Sequence, residues 1–463
     1  MDLHLELNRA GGQAAAQLAA GLRDAVRSGR LAAGTRLPPS RTLAADIGVS
    51  RGPVVEAYEQ LVAEGFLISR QGAGTWVADV ARRAAAPAGA PAPASGPTNG
   101  RPPIEYNLMP GTPDLADFPR GQWLAALRHA LATLPHHRLG YADPGGLPEL
   151  RAELAGYLRR VRAADAAPDD VVVVAGVAQG MSLGVRAVVD SGRRLLAVED
   201  PTSLRSRSLL LATGAQLVPV PVDAEGVDVA ALRRTPARAV LLTPAHQYPT
   251  GAVLSARRRA ALLGWAADVD AIVLEDDYDA EFRYDRDPVG CLQGLAPGCT
   301  ALIGSTSKSL APGLRLGWIV APPALAHAVR LGRAHDDLGS PVLDQAALAR
   351  LITSGAYDRH LRRMRRRYRT RRDALVEALN RWLPAARVHG ISAGLHLLIE
   401  LPPACDEAAV VALAAARGVA VEPVASMRAT AGGPPALVLG YARLSDHHLA
   451  RAVRLLAEAV HGA

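Results

Sequence analysis

The chain has 463 residues, 49% of them hydrophobic and 21% charged, with a formal net charge of +8. That length accommodates a large core and a further module, so two domains are expected. No apolar run approaches the roughly 18–20 residues of a membrane-spanning helix, and the opening MDLHLELNRA lacks a basic-then-apolar leader pattern, which predicts a soluble cytoplasmic protein with no membrane partner. Cys291, Cys299 and Cys405 have neither C-x-x-C spacing nor nearby histidines, arguing against a metal site or a disulfide framework.

Charge does not single out a nucleic-acid-binding part, because residues 1–80 carry eight arginines and eight acidic residues. The pattern along the chain is more informative. Ala15, Leu18, Leu22 and Val26 share one helical face that stops near Gly29. Ser40 is expected to cap a short helix carrying Leu43, Ala44 and Ile47 inward, and Gly48-Val49 makes a turn. Ser50 is placed to cap a second helix bearing Val54, Tyr58 and Leu61, which ends at Gly65. FLISRQGAGTWVA then alternates around a glycine-rich tip, as a hairpin does. Helix, helix-turn-helix and hairpin in this order make a winged helix-turn-helix over residues 1–79.

These segments, LPPSRTLA, GVSR, AYEQLVAEGFL and GAGTWVA, resemble the GntR family of bacterial regulators. In that family the second helix of the motif enters the major groove and the wing tip lies by the minor groove. By position the resemblance implies DNA contacts from Arg41, Ser50 and Arg51, and from Gln71, Gly72 and Gly74 at the wing. The residue types suit such contacts, since arginines at a helix start address phosphates or guanine edges and glycines let backbone approach the duplex.

Residues 80–103 turn to Ala, Pro and Gly, with almost no large apolar side chain to bury, and read as a linker. Beyond it, residues 104–463 alternate short apolar runs (VVVVAG, RLLAVED, RAVLLTP, AIVLEDD, TALIGS) with helical stretches. That rhythm predicts an α/β domain with a mostly parallel, helix-covered sheet, whose ligands gather at the carboxyl ends of strands.

Chemistry follows those runs. The chain has one lysine, Lys308, against 51 arginines, and a guanidinium cannot replace an amine in imine chemistry. Ser305 stands three residues before Lys308 and Arg315 seven after, a hydroxyl and a guanidinium suited to a phosphate. Asp276 and Tyr278 follow AIVLE, where a carboxylate can keep a pyridine nitrogen protonated and a phenol can bond a ring oxygen. The segment VVVVAGVAQG runs from a strand through glycine into a helix start, an anion-binding turn.

This part resembles fold-type I aminotransferases, and its fusion to a GntR-like module resembles the MocR group of chimeric regulators. The resemblance implies a pyridoxal 5′-phosphate (PLP) domain of transferase fold type I, with Lys308 as the Schiff-base lysine. Asp276 would pair the pyridinium, Tyr278 the 3-oxygen, and Ser305 and Arg315 the phosphate. Gly176, Val177 and Ala178 through their amides, and Gln179 through its side chain, would add phosphate contacts. Tyr141 would reach the phosphate of a partner subunit, making a homodimer.

Three positions depart from the enzyme pattern. Tyr248 replaces the usual asparagine of the N-P-T-G turn, Ser203 stands where a stacking aromatic is common, and Val438 replaces the arginine that grips a substrate carboxylate. A transcription regulator is therefore expected, sensing PLP or an amine or amino-acid effector and controlling vitamin B6 or amine metabolism. The alternatives are a working aminotransferase with an accessory DNA-binding module, or a PLP fold kept as a scaffold. Last, the segment from Tyr357 to Arg372, with nine arginines, reads as a helix with one apolar stripe and a strongly basic face, either a solvated surface or a face that contacts phosphate.

Overall fold

The computed structural model describes residues 14–70, 72–79, 103–284, 290–430 and 432–463. The chain divides into two compact units, residues 1–100 and 101–463. Most of the linker, 80–102, and Gln71 of the expected wing lie outside the described residues. None of the described helices is long and apolar enough to cross a membrane.

The first unit comprises α1 (Ala14–Arg27), α2 (Ser40–Ile47) and α3 (Arg51–Ala63), followed by the antiparallel hairpin β1 (Leu67–Arg70) and β2 (Gly74–Val77). One core joins them: Leu18, Leu22 and Val26 of α1 pack with Leu43, Val54, Tyr58, Leu61, Leu67 and Val77. Each such aliphatic burial contributes about 1.5–3 kcal/mol. Ser40 is the first residue of α2, not its cap; Pro39 holds the cap position and the Ser40 hydroxyl accepts from Arg51 Nε at 3.3 Å. Ser50 does occupy the cap of α3, in extended backbone, without a side-chain cap bond.

In the second unit the elements run β3 (Tyr106–Asn107), α4 (Arg120–Thr133), α5 (Pro148–Arg162), β4 (Val171–Val174), α6 (Val177–Asp190), β5 (Leu195–Asp200), α7 (Leu204–Ala212), β6 (Gln216–Asp223), β7 (Gly226–Val227), α8 (Val229–Arg233), β8 (Ala239–Leu242), α9 (Ala256–Asp268), β9 (Ile272–Asp276), β10 (Thr300–Ser305) and β11 (Gly317–Val320). There follow α10 (Pro323–Asp336), α11 (Val342–Thr353), α12 (Ala356–Trp382), β12 (Arg387–His389), β13 (His396–Glu400), α13 (Glu407–Ala416), β14 (Val419–Ala420), β15 (Glu422–Pro423), β16 (Ala436–Gly440) and α14 (Asp446–His461).

All five apolar runs become strands of one eight-stranded sheet, ordered β4-β11-β10-β9-β8-β5-β6-β7. Pairing is parallel from β10 to β6, while β11 opposes both β10 and β4 and β7 opposes β6. Helices cover both faces, which explains why these strands are continuously apolar. Val172 and Val174 face the core built with α6 and α10, and Val171 and Val173 face the core that includes α5, α11 and α12. A smaller antiparallel sheet, β12-β13-β16-β15, follows near the C-terminus.

Candidate functional site

Strand register assembles the site. Asp276 closes β9 and pairs with Ile303 of β10, while Ser305, two residues on, pairs with Gly317 of β11. Gly317 in turn pairs with Val174 at the end of β4. One row of the sheet thus carries Ser305 to the Ala175-Gly176 turn that opens α6. Lys308 lies three residues past β10, in a turn, with Nζ donating to the carbonyl of Gly111.

Two glycines make this corner possible. A Cβ on Gly317 would sit 2.8 Å from the Cα of Gly176. Gly176 has φ +85°, and a Cβ there would sit 2.9 Å from the Arg315 guanidinium, which donates to the Ala175 carbonyl. The N–H groups of Val177 and Ala178 open α6, where a first turn has no intrahelical acceptor to offer. Helix-start amides, the Arg315 guanidinium and, at the end of β10, the Ser305 hydroxyl are the group types from which an anion cradle is built. The Gln179 side chain is turned elsewhere: its Oε1 accepts from the Ala175 amide at 2.7 Å and from Arg333 at 2.5 Å, and its Nε2 donates to Asp337.

At the end of β9, Asp276 Oδ1 is buried and has no hydrogen-bond partner among the described residues. Burial, then the neighbouring Asp277 carboxylate, pushes its pKa up to about 8. A buried acceptor without a donor is costly, and a ring N–H would satisfy it. Burial lowers the Lys308 amine from its ordinary value, with Asp279 and Asp276 opposing. Tyr278 donates to the His246 carbonyl at 2.9 Å. Tyr248 points away from it, donating to Glu422 Oε2 at 2.6 Å. An orphaned carboxylate oxygen, a softened amine and an anion cradle fit a phosphorylated pyridine aldehyde.

Behind Tyr278 lies a buried group that no sequence motif singles out. His246 Nδ1 and Asp279 Oδ2 are 2.9 Å apart, and burial keeps the nearby His396 neutral with its Nε2 unpartnered. Ligand-capable atoms of these three residues lie within 4.8 Å of one another. His246 stands two before Tyr248, so its neighbourhood was legible, whereas nothing in the sequence marks His396.

Three further positions singled out in the sequence have surroundings of their own. Tyr141 is 93% exposed. Ser203 caps α7, accepting from the Ser206 amide. Val438 is fully buried in an apolar cluster with Leu398, Val424, Met427 and Ala436.

In the first unit, Arg41 and Arg51 are exposed at the starts of α2 and α3. Gly72 (φ +75°) and Gly74 (φ +126°) form the tip of the hairpin. Two basic residues outside the sequence motifs, Arg36 and Arg70, stack on the Trp76 ring beside it. Arg36 also donates to the Ala73 carbonyl at 2.7 Å.

Residues 14–77 match the family model for bacterial regulatory proteins of the gntR family, and residues 109–456 that for class I and II aminotransferases. The chain is 34% identical over 461 residues to a probable rhizopine catabolism regulatory protein, MocR, of Rhizobium meliloti, covering 96% of this chain and 93% of that one. It is 35% identical over 457 residues to the HTH-type pyridoxine biosynthesis transcriptional regulator PdxR of Corynebacterium glutamicum, covering 96% and 95%. Among solved structures, a multiple substrate aminotransferase from Thermococcus profundus is similar with a TM-score of 0.71 and 25% identity, covering 77% of this chain and 91% of that one. The α-aminoadipate aminotransferase LysN from Thermus thermophilus is similar at 0.70 and 27%, covering 77% and 92%.

Proposed function

The chain belongs to the MocR-type transcription regulators, which join a gntR-family winged helix-turn-helix to a class I and II aminotransferase domain, and on that premise we propose that PLP is held at Lys308 and governs how the DNA-binding module engages its operator. The observation that carries this reading is the buried Asp276 Oδ1, without a donor among the described residues and near enough to the chain's single amine side chain to interact with its charge. Bound PLP supplies an electrophilic carbon that amines attack.

The chain's own groups divide the work. Burial keeps the Lys308 amine closer to its neutral, nucleophilic form. Asp276 would accept the ring N–H, and the Tyr278 hydroxyl, which donates to the His246 carbonyl here, would serve the 3-oxygen. Ser305, Arg315 and the amides of Val177 and Ala178 would hold the phosphate, while the amide expected from Gly176 is already given to the Val174 carbonyl at 2.8 Å and Gln179 braces the turn through its bond to the Ala175 amide. Tyr141, almost wholly exposed, serves the pocket of a second copy in a homodimer.

Two features support sensing over turnover. Val438 offers no charge to a substrate carboxylate, and Arg443, near in sequence, is exposed. Ser203 is committed to a helix cap and presents no ring to stack on the cofactor. An amine or amino-acid effector, or PLP itself, then acts by binding one arrangement of the protein better than another, since a ligand that binds both equally shifts nothing. The relatives' names motivate control of vitamin B6 or amine metabolism. The solved neighbours are enzymes, which keeps a residual aminotransferase activity as the second reading.

Absorption spectra of the purified protein with and without PLP, followed by operator binding in both states, test the proposal. A visible band lost in Lys308→Ala, with operator affinity that differs between loaded and unloaded wild type, is the expected result. Identical affinity in the two states would overturn the sensing role, and rapid amino transfer from common amino acids would promote the enzyme.

A further inference from the structure

The nine arginines between Tyr357 and Arg372 all lie on α12, and their partners divide them. Arg371 and Asp114 form a buried pair at 2.8 Å, and Arg367 pairs with Asp114 and Asp117. Arg363 meets His360 and the Asp117 carbonyl, Arg365 donates to the Glu281 carbonyl, Arg359 to that of Ser354, and Arg372 pairs with Asp373. Three remain. The side chains of Arg362, Arg366 and Arg369 are exposed and make no ion pair or hydrogen bond among the described residues.

Steps of four and three place these three on one helical face. They span about 10 Å along the axis, at about 1.5 Å per residue. Like charges at this spacing repel one another, so the face carries a repulsion that a polyanion relieves. At one end of the stripe, Arg362 and Arg365 line a cleft of about 430 Å³. Its carboxyls do not neutralise the stripe: Asp358 is paired with Arg160 at 2.9 Å, and burial pushes Glu281 up to about 8.

We propose that the Arg362–Arg366–Arg369 face of α12 is a second contact for the DNA backbone, outside the helix-turn-helix. A strand of B-DNA carries one phosphate per roughly 3.4 Å of axis, so about 10 Å of stripe faces about three of them. Guanidiniums on a smooth helix face offer charge and forked donors but no base-reading shape, which suits sequence-independent phosphate binding. The inference rests on the reading that this regulator binds operator DNA.

The test measures operator affinity of the full PLP-loaded chain against salt concentration, for wild type, Arg51→Ala, a triple Arg→Gln variant at 362, 366 and 369, and the triple Arg→Lys variant. Each lost phosphate contact lowers the log–log slope by about 0.9, so between 50 and 200 mM salt the triple Gln variant loses about 40-fold less affinity than wild type does. The Lys variant keeps the wild-type slope, and both retain the PLP absorption band and sedimentation of wild type. A slope unchanged in the Gln variant, with binding still sensitive to Arg51→Ala, overturns this proposal alone. No measurable operator binding by the wild-type chain removes the operator reading on which it rests. Sedimentation altered in the Gln variant would assign the face to a second copy of the chain and likewise overturn it.

Discussion

Replacing Asp276 by Asn should make the cofactor-free pocket domain more stable, and increasingly so as the pH rises. The folded carboxyl titrates near 8 because burial penalises its charge, against about 3.9 for an unfolded aspartate. A carboxyl whose folded pKa is raised holds its proton more tightly when folded, so native stability falls as pH climbs from about 4 to about 8 and is restored below. Linkage between those two values puts the penalty at roughly 3 kcal/mol at pH 6 and roughly 5 kcal/mol at pH 8. Asparagine cannot ionise, so relative to wild type it should gain about 2 kcal/mol between those pH values. Denaturant unfolding of both proteins without PLP, at pH 6 and pH 8, measures this difference, and the other titrating groups largely cancel in the comparison. Parallel pH dependences would refute the argument that Asp276 is a desolvated acceptor kept for a ring donor. Adding PLP supplies that donor, and the advantage of Asn should then vanish along with much of the cofactor affinity.

Gly176→Ala forces a side chain onto a φ of +85° and against Arg315, costing about 1–3 kcal/mol in backbone strain and weakening PLP binding in a titration; unaltered affinity would detach this turn from the phosphate. Tyr248→Phe removes a hydrogen bond to a part-buried Glu422 and should lower stability by about 1–3 kcal/mol while leaving the PLP spectrum in place. Tyr278→Phe should instead move the absorption maximum, and the reverse pattern would exchange the two tyrosines' roles. Arg51→Ala is expected to weaken operator binding by about 1–3 kcal/mol if this side chain reads a base, measured by titration of labelled operator.

Much of the pocket was legible because its parts sit at strand ends. Five apolar runs gave five strands, and the lone lysine identified itself by the absence of any other. Gln179 shows the limit. Its position after the glycine turn suggested a phosphate ligand, but Arg333 and Asp337, more than 150 residues away in sequence, capture its amide. The same distance hid His396, which meets His246 only through packing and leaves no periodic trace. Composition announced a basic helix without revealing which arginines were spoken for, because their partners Asp114 and Asp117 lie in a loop about 250 residues upstream.

Tyr248 leads the pocket loop, and Glu422 sits on β15, opposite Val438 in the smaller sheet. Their bond is a mechanical strut. It ties the loop after β8 to the smaller sheet, so a change in the position of either would have to be taken up at this one hydrogen bond.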